Sequence, residues 1–208
     1  MRVHGQSACP ESGWSIGRTR DRFYSLDFVH IGLLRHFPVD QKFPVGWRTA
    51  ADLQAWRERY DSAETSIGEF DLGDVAWQAC ISSDLPRAQL TASAVFCGQV
   101  EPTALLREAQ FAPFPTGNLR LPVWVWRWLL RLAWMTGHAS QRACRDEFRE
   151  RVSAMADRLG ALEQDTLVVS HAGMMAYLSA KLRRRGFAGP KLRIAKYANV
   201  YIYTRMDG

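Results

Sequence analysis

No stretch of this sequence approaches the roughly 18 consecutive apolar residues of a membrane span. Cysteine is scarce: Cys9, Cys80, Cys97 and Cys144 lie far apart, with none of the paired spacing that zinc or redox motifs need. Four cysteines in 208 residues do not make a disulfide framework, and reduced thiols are expected. The first 26 residues carry Gly, Ser, Arg and Asp without an apolar segment, so they do not read as a secretory signal. Internal repeats and low-complexity tracts are missing. Charge of one sign is also in short supply: 27 basic residues against 21 acidic give a net +6. That excess suits an anionic partner but is too small to imply nucleic acid. The basic stretch from Lys181 through Arg183, Arg184 and Arg185 to Lys191, Arg193 and Lys196 lacks the interleaved aromatics that stack bases, and reads as a solvated face. A cytoplasmic protein without a membrane span or a nucleic-acid partner is expected.

What is present is ordinary globular composition, 47% hydrophobic and 23% charged, in a length that suits one domain. Residues 1–26 are polar and aperiodic, an N-terminal extension to a domain at 27–208. Strand-length apolar runs occur at Phe28–Leu34, Val75–Ile81, about Pro102–Leu106, Thr166–Ser170 and Asn199–Thr204. Helical patterns lie between them at Thr49–Tyr60, Asp84–Phe96, Gln141–Leu162 and Ala172–Arg185. In the third of these, Cys144, Phe148, Val152, Met155, Leu159 and Leu162 recur at spacings of three and four and form one apolar stripe. Strands alternating with helices predict a three-layer α/β sandwich, with a largely parallel central sheet and helices on both faces.

In such sheets ligands bind beyond the carboxyl ends of the strands. Arg35-His36 follow the first strand, Ser82-Ser83-Asp84-Leu85-Pro86-Arg87 the second, Arg107-Glu108 the third and Ser170-His171-Ala172-Gly173 the fourth. Histidines, arginines and a carboxylate therefore gather on one edge. This set suits phosphoryl transfer through histidine. A neutral imidazole attacks phosphorus, guanidinium forks hold the equatorial oxygens, and a carboxylic acid protonates the leaving alkoxide. Such chemistry asks for no metal and no cofactor. Ser82 to Asp84 read as a helix N-cap. His4, His30 and His138 look incidental, with His30 packed inside a strand.

These motifs resemble the histidine phosphatase superfamily, in its phosphoglycerate-mutase-like branch. Leu34-Arg35-His36 is similar to the first hallmark, with Phe37 where the family has Gly. Ser82 through Ala92 resembles the second almost throughout, Leu106-Arg107-Glu108 the third, and Ser170-His171-Ala172-Gly173 the fourth. The resemblance spans about residues 28–204. It implies a phosphoglycerate-mutase-like fold, with His36 as the phosphorylated nucleophile. It further implies that Arg35, Arg87 and His171 bind the phosphoryl group and that Glu108 donates the proton. The substrate it implies is a small-molecule or protein phosphomonoester. Phe37 is expected to crowd the pocket beside the nucleophile, which keeps open a catalytically weak relative that binds phosphorylated ligands or a protein partner. The stretch Pro38–Val45 is mostly apolar, where mutases carry polar residues that retain phosphoglycerate, so a phosphatase is favoured over a mutase.

The segment Leu121–Met135 holds Trp124, Trp126, Trp128 and Trp134 with Arg127 and Arg131, and reads as an insertion at about 121–137. Three roles fit it: a helix packed on the domain, a lid or homo-oligomer surface, or an interfacial membrane anchor. Pro122 suits the first helical turn.

Overall fold

The structure, a computed structural model, describes residues 28–206. The expected extension at 1–26 lies outside the described residues. Five strands form one sheet in the order β4-β3-β6-β1-β7: β1 (Phe28–Arg35), β3 (Ala79–Ser83), β4 (Val100–Thr103), β6 (Thr166–Ser170) and β7 (Val200–Met206). The pairings β1–β6, β3–β6 and β3–β4 are parallel, and the β1–β7 pairing is antiparallel. A short second sheet pairs β2 (Trp47–Arg48) with β5 (Leu121–Pro122). The helices are α1 (Ala50–Ser62), α2 (Pro86–Val95), α3 (Val123–Thr136), α4 (Ala139–Gly160) and α5 (Ala172–Arg184).

Alternation along the buried strands splits the core in two, because successive side chains leave opposite faces of a sheet. Ile31, Leu33, Ile81 and Val168 face α4 and α5, where Phe148, Val152, Met155 and Leu159 of the expected stripe are buried. Leu34, Cys80, Leu167 and Val169 face α2, packing on Ala88, Ala92 and Val95. Helices therefore cover both faces, as the alternating pattern requires, and the fold is the expected α/β sandwich.

Several element boundaries differ from expectation. The strand expected from Val75 begins at Ala79. The preceding residues instead fold across the sheet, with the Trp77 ring lying over Gly32 of β1, where any Cβ would collide with it. The strand expected to reach Leu106 ends at Thr103 and passes into a single 3-10 turn, Ala104–Leu106, capped by the Thr103 hydroxyl. Its Pro102 is tolerated because β4 is an edge strand. Pro122 stands at the N-cap of α3 in β5, outside the first helical turn. Gly137 closes α3 with φ +69°, a left-handed cap that favours glycine. Cys80 and Cys144 carry free thiols, whereas Cys97 is disulfide-bonded, which corrects the expectation of reduced thiols for that residue. Among the described residues no helix is long and apolar enough to cross a membrane.

Candidate active site

Parallel pairing puts the carboxyl ends of β1, β3, β4 and β6 on one edge of the sheet, and the expected residues meet there. His36 follows β1 directly, its backbone N–H donating to the Ser170 carbonyl at the end of β6 (3.0 Å). His171 follows β6. The two imidazoles face each other with ring centroids 5.0 Å apart, and both are almost wholly buried, 3% and 1% exposed. His36 Nδ1 lies 2.6 Å from the Phe37 carbonyl oxygen, which can only accept. Nδ1 therefore carries the proton, and Nε2 keeps the free lone pair. His171 Nε2 lies 3.0 Å from Ser83 Oγ, at the end of β3. The same Oγ accepts the Leu85 N–H (3.4 Å), so its own hydrogen is available to Nε2. His171 Nδ1 is buried without a hydrogen-bond partner.

Two guanidinium groups complete this end. Arg35 donates through Nη1 to the Ala195 carbonyl (2.8 Å) and lies 3.5 Å over the Tyr197 ring. Arg87, the second residue of α2 and only 3% exposed, donates through Nη1 to Asp61 of α1 (2.8 Å) and lies over the Tyr60 ring. In both arginines Nε is buried and unpartnered. Each fork is thus anchored at one corner and leaves a donor unmatched in a place where an unmet donor costs free energy. Three such nitrogens, two on arginines and one on His171, make a cradle suited to an oxyanion. Burial pushes His36 down to about 3, with Arg87 and Arg35 acting in the same direction and the bond to Phe37 opposing them. Burial, then Arg87 and His36, likewise hold His171 well below the ordinary histidine value. Both imidazoles are therefore neutral at neutral pH, as a nitrogen nucleophile must be.

Glu108 lies at the N-terminus of α5. Its Oε2 accepts the Gly173 N–H (2.9 Å), and its Oε1 accepts those of Ala109 (2.9 Å) and Met174 (3.1 Å). The start of a helix offers free N–H groups and the positive end of its dipole, so a carboxylate is well placed there. Gly173 is needed for this approach, since a Cβ at that position would overlap Oε1. Glu108, Arg35, Arg87 and Asp61 all line one cavity of about 910 Å³.

Two expectations need correction, those for Phe37 and for Ser82 to Asp84. Phe37 does not crowd the site: its ring is fully buried among Leu34, Ala88 and Ala92 on the other side of the strand end, where its backbone N–H donates to Thr91 Oγ1 (2.9 Å). Ser82 to Asp84 do not supply the α2 N-cap, which is Leu85 without a side-chain bond. Asp84 instead forms a two-point ion pair with Arg107 (2.7 and 2.6 Å). His138 caps α4 by accepting the Ser140 N–H. His30 pairs with Asp165 at the opposite edge of the sheet, away from the site. Unread in the sequence were Asp61, Tyr60, Tyr197 and the orienting hydroxyl of Ser83. Tyr197 reaches Arg35 from a turn at whose end Ala198 adopts φ +52°, a costly conformation for a residue with a Cβ.

The sequence profile of the histidine phosphatase superfamily (branch 1) matches residues 63–208. The chain belongs to the histidine phosphatase superfamily. That match begins after Arg35-His36, so these two residues are tied to the site by the geometry of β1 beside β6. No curated protein sequence matches the chain. Among solved structures, a protein provisionally described as an alpha-ribazole-5'-P phosphatase, from Escherichia coli, superposes with a TM-score of 0.50 at 18% identity. The match covers 82% of this chain and 98% of that one. A mycobacterial protein, hydrolase 2, gives 0.40 at 20% identity over 76% and 73% of the two chains. At these identities the first of the two supports the fold alone. Membership of the superfamily carries a phosphatase- or mutase-type function.

Proposed function

We propose that this protein is a phosphomonoesterase that works through a phosphohistidine on His36 without a metal or cofactor. The observation that carries the reading is His36 itself: a buried imidazole, neutral at working pH, with its tautomer set by the Phe37 carbonyl and a second neutral histidine and two half-anchored arginines around it.

His36 Nε2 attacks phosphorus as the bond to the alcohol oxygen breaks. Arg35 and Arg87 hold the equatorial oxygens, and His171, with Ser83 on its Nε2, presents Nδ1–H to the same group. The negative charge of the bound phosphate favours the protonated Glu108 carboxyl against the helix N-terminus, and that carboxyl gives its proton to the departing alkoxide. Water then attacks the phosphohistidine, Glu108 takes up the water's proton, and inorganic phosphate leaves with His36 restored. The acceptor is water rather than a retained sugar acid, in keeping with Val39 and Phe43 on the cavity wall after the first histidine.

The test is hydrolysis of p-nitrophenyl phosphate with no metal added, in the wild type and in His36→Ala. Removing the nucleophile is expected to lower kcat by about 10⁴-fold or more, in the range seen when a covalent catalyst is deleted. Near-normal activity in the variant would exclude covalent catalysis through His36. Transfer of phosphate to a phosphoglycerate in preference to water would make the protein a mutase.

A further inference from the structure

The phosphoryl site meets this cavity at one corner, through Arg35, Arg87 and Glu108, while His36 and His171 are buried outside its lining. At about 910 Å³ the whole space is near the upper end of small-molecule sites, far more than a phosphate needs. Its remainder is walled by α1, the segment 109–114 and α3, with Leu53, Trp56, Phe111, Phe114, Trp126 and Leu130 contributing apolar surface. The rings brace one another. Trp56 packs against Phe43 (4.9 Å) and Tyr60 (5.2 Å), and Phe114 stacks on Trp126 (6.1 Å between centroids, 23° between planes). Two of the indole N–H groups are already spent on backbone carbonyls, Trp56 on Lys42 and Trp126 on Arg48. Some of the polar groups on this wall are likewise engaged, and Gln41 and Gln110 stand beside them. Arg57 donates to the Ala109 carbonyl (3.3 Å), Gln54 bonds the neighbouring Glu58 (3.4 Å), and Arg127 and Arg131 are exposed.

We propose that the substrate is a phosphomonoester whose alcohol carries a bulky apolar group, aryl or alkyl, lodged between α1 and α3. The proposal rests on the phosphatase reading above and adds the substrate class to it. Sugar hydroxyls placed against the ring faces of this wall would lose water without gaining a partner there, which is unfavourable. An apolar group would gain from leaving water and from the ring faces.

The experiment uses the full chain and four phosphates that all leave as primary alkoxides: ethyl, n-hexyl, 2-naphthylmethyl and glucose 6-phosphate. The expected result is that kcat/KM for the naphthylmethyl or hexyl ester exceeds that for glucose 6-phosphate by about tenfold or more, the scale on which apolar pockets discriminate. Naphthylmethyl ahead of hexyl identifies an aromatic group, and the reverse an aliphatic one. Leu130→Gln is expected to lower the ratio of naphthylmethyl to glucose ester by about fivefold or more. A glucose ester turned over as well as the apolar ones, or hydrolysis of p-nitrophenyl phosphate with none of the apolar esters used, would overturn the proposal and leave the phosphatase reading standing. If nothing is hydrolysed, that reading fails instead. Quenching of the Trp56 and Trp126 fluorescence by naphthylmethyl phosphate then decides the cavity's preference. Binding about tenfold tighter than glucose 6-phosphate upholds it, and equal or weaker binding overturns it.

Discussion

The phosphoryl site and the cavity it adjoins are built by different means. At the phosphoryl site the functional groups stand on strand ends of one sheet. His36 and His171 directly follow adjacent parallel strands, Ser83 ends a third, and Arg87 is the second residue of the helix after it. These groups are buried and fixed by short bonds, so they cannot reorient without breaking the core. The cavity is a chamber of helices and an irregular loop, half exposed, tied to the domain by the two-residue sheet β2–β5 and by stacked rings. The contrast separates two tasks. Rigid strand ends give the geometry that a covalent phosphoryl step needs, whereas elements joined to them by loops can set which alcohol is accepted.

The same contrast governs what could be read beforehand. The strand ends were legible because motifs directly follow apolar runs, and parallel pairing then sends them all to one edge. The α4 stripe was legible because its period is helical. Direction and long-range pairing were not. Phe37 follows His36, yet its ring turns to the opposite core, a consequence of backbone geometry after Arg35. Asp61 meets Arg87 across 26 positions and Tyr197 meets Arg35 across more than 160, and no local pattern announces either. The run from Val75 looked like a strand by composition, but packing of Trp77 over Gly32 overrode propensity. Of the Trp-rich helix, Trp126 and Trp134 are buried, while Trp124 and Trp128 are about two-thirds exposed. One face is therefore packed and lines the chamber, and the other points to solvent.

The largest expected effect that sharpens the comparison concerns the acid. Both Glu108 and Asp61 line the cavity, but Asp61 is paired with Arg87, while Glu108 is held by backbone donors only. Glu108→Gln is expected to slow alkyl phosphates by about 10²-fold or more and to spare aryl phosphates, whose leaving group needs little protonation. Steady-state kcat on matched alkyl and aryl esters checks this. Equal losses on both, with Asp61→Asn instead showing the leaving-group dependence, would move the proton donor to α1.

Phe37→Ala probes whether that residue belongs to the site or to the core. Emptying a fully buried ring position is expected to cost about 3–5 kcal/mol of stability, measured by urea unfolding. A variant of unchanged stability but altered KM would return Phe37 to the pocket.

A smaller effect follows from the buried imidazoles. His36 is held at about 3 in the folded chain against 6.5 ordinarily, and His171 is lowered too. Below pH 6.5 the unfolded chain binds protons that the folded site refuses. Stability is therefore expected to fall with decreasing pH by up to about 1.4 kcal/mol per unit for each histidine, down to the folded value, and to gain nothing from them above 6.5. Unfolding at pH 7 and pH 5, where most carboxylates stay ionised, checks the sign. His36→Asn should flatten the slope.

The most direct measurement is capture of the intermediate. The enzyme is mixed with p-nitrophenyl phosphate, quenched in base, where phosphohistidine survives, and digested for mass spectrometry. The account predicts one phosphate on the peptide containing His36, absent after acid treatment and absent in His36→Ala. Phosphate on His171 or on no histidine, in an enzyme that is turning over, would contradict it.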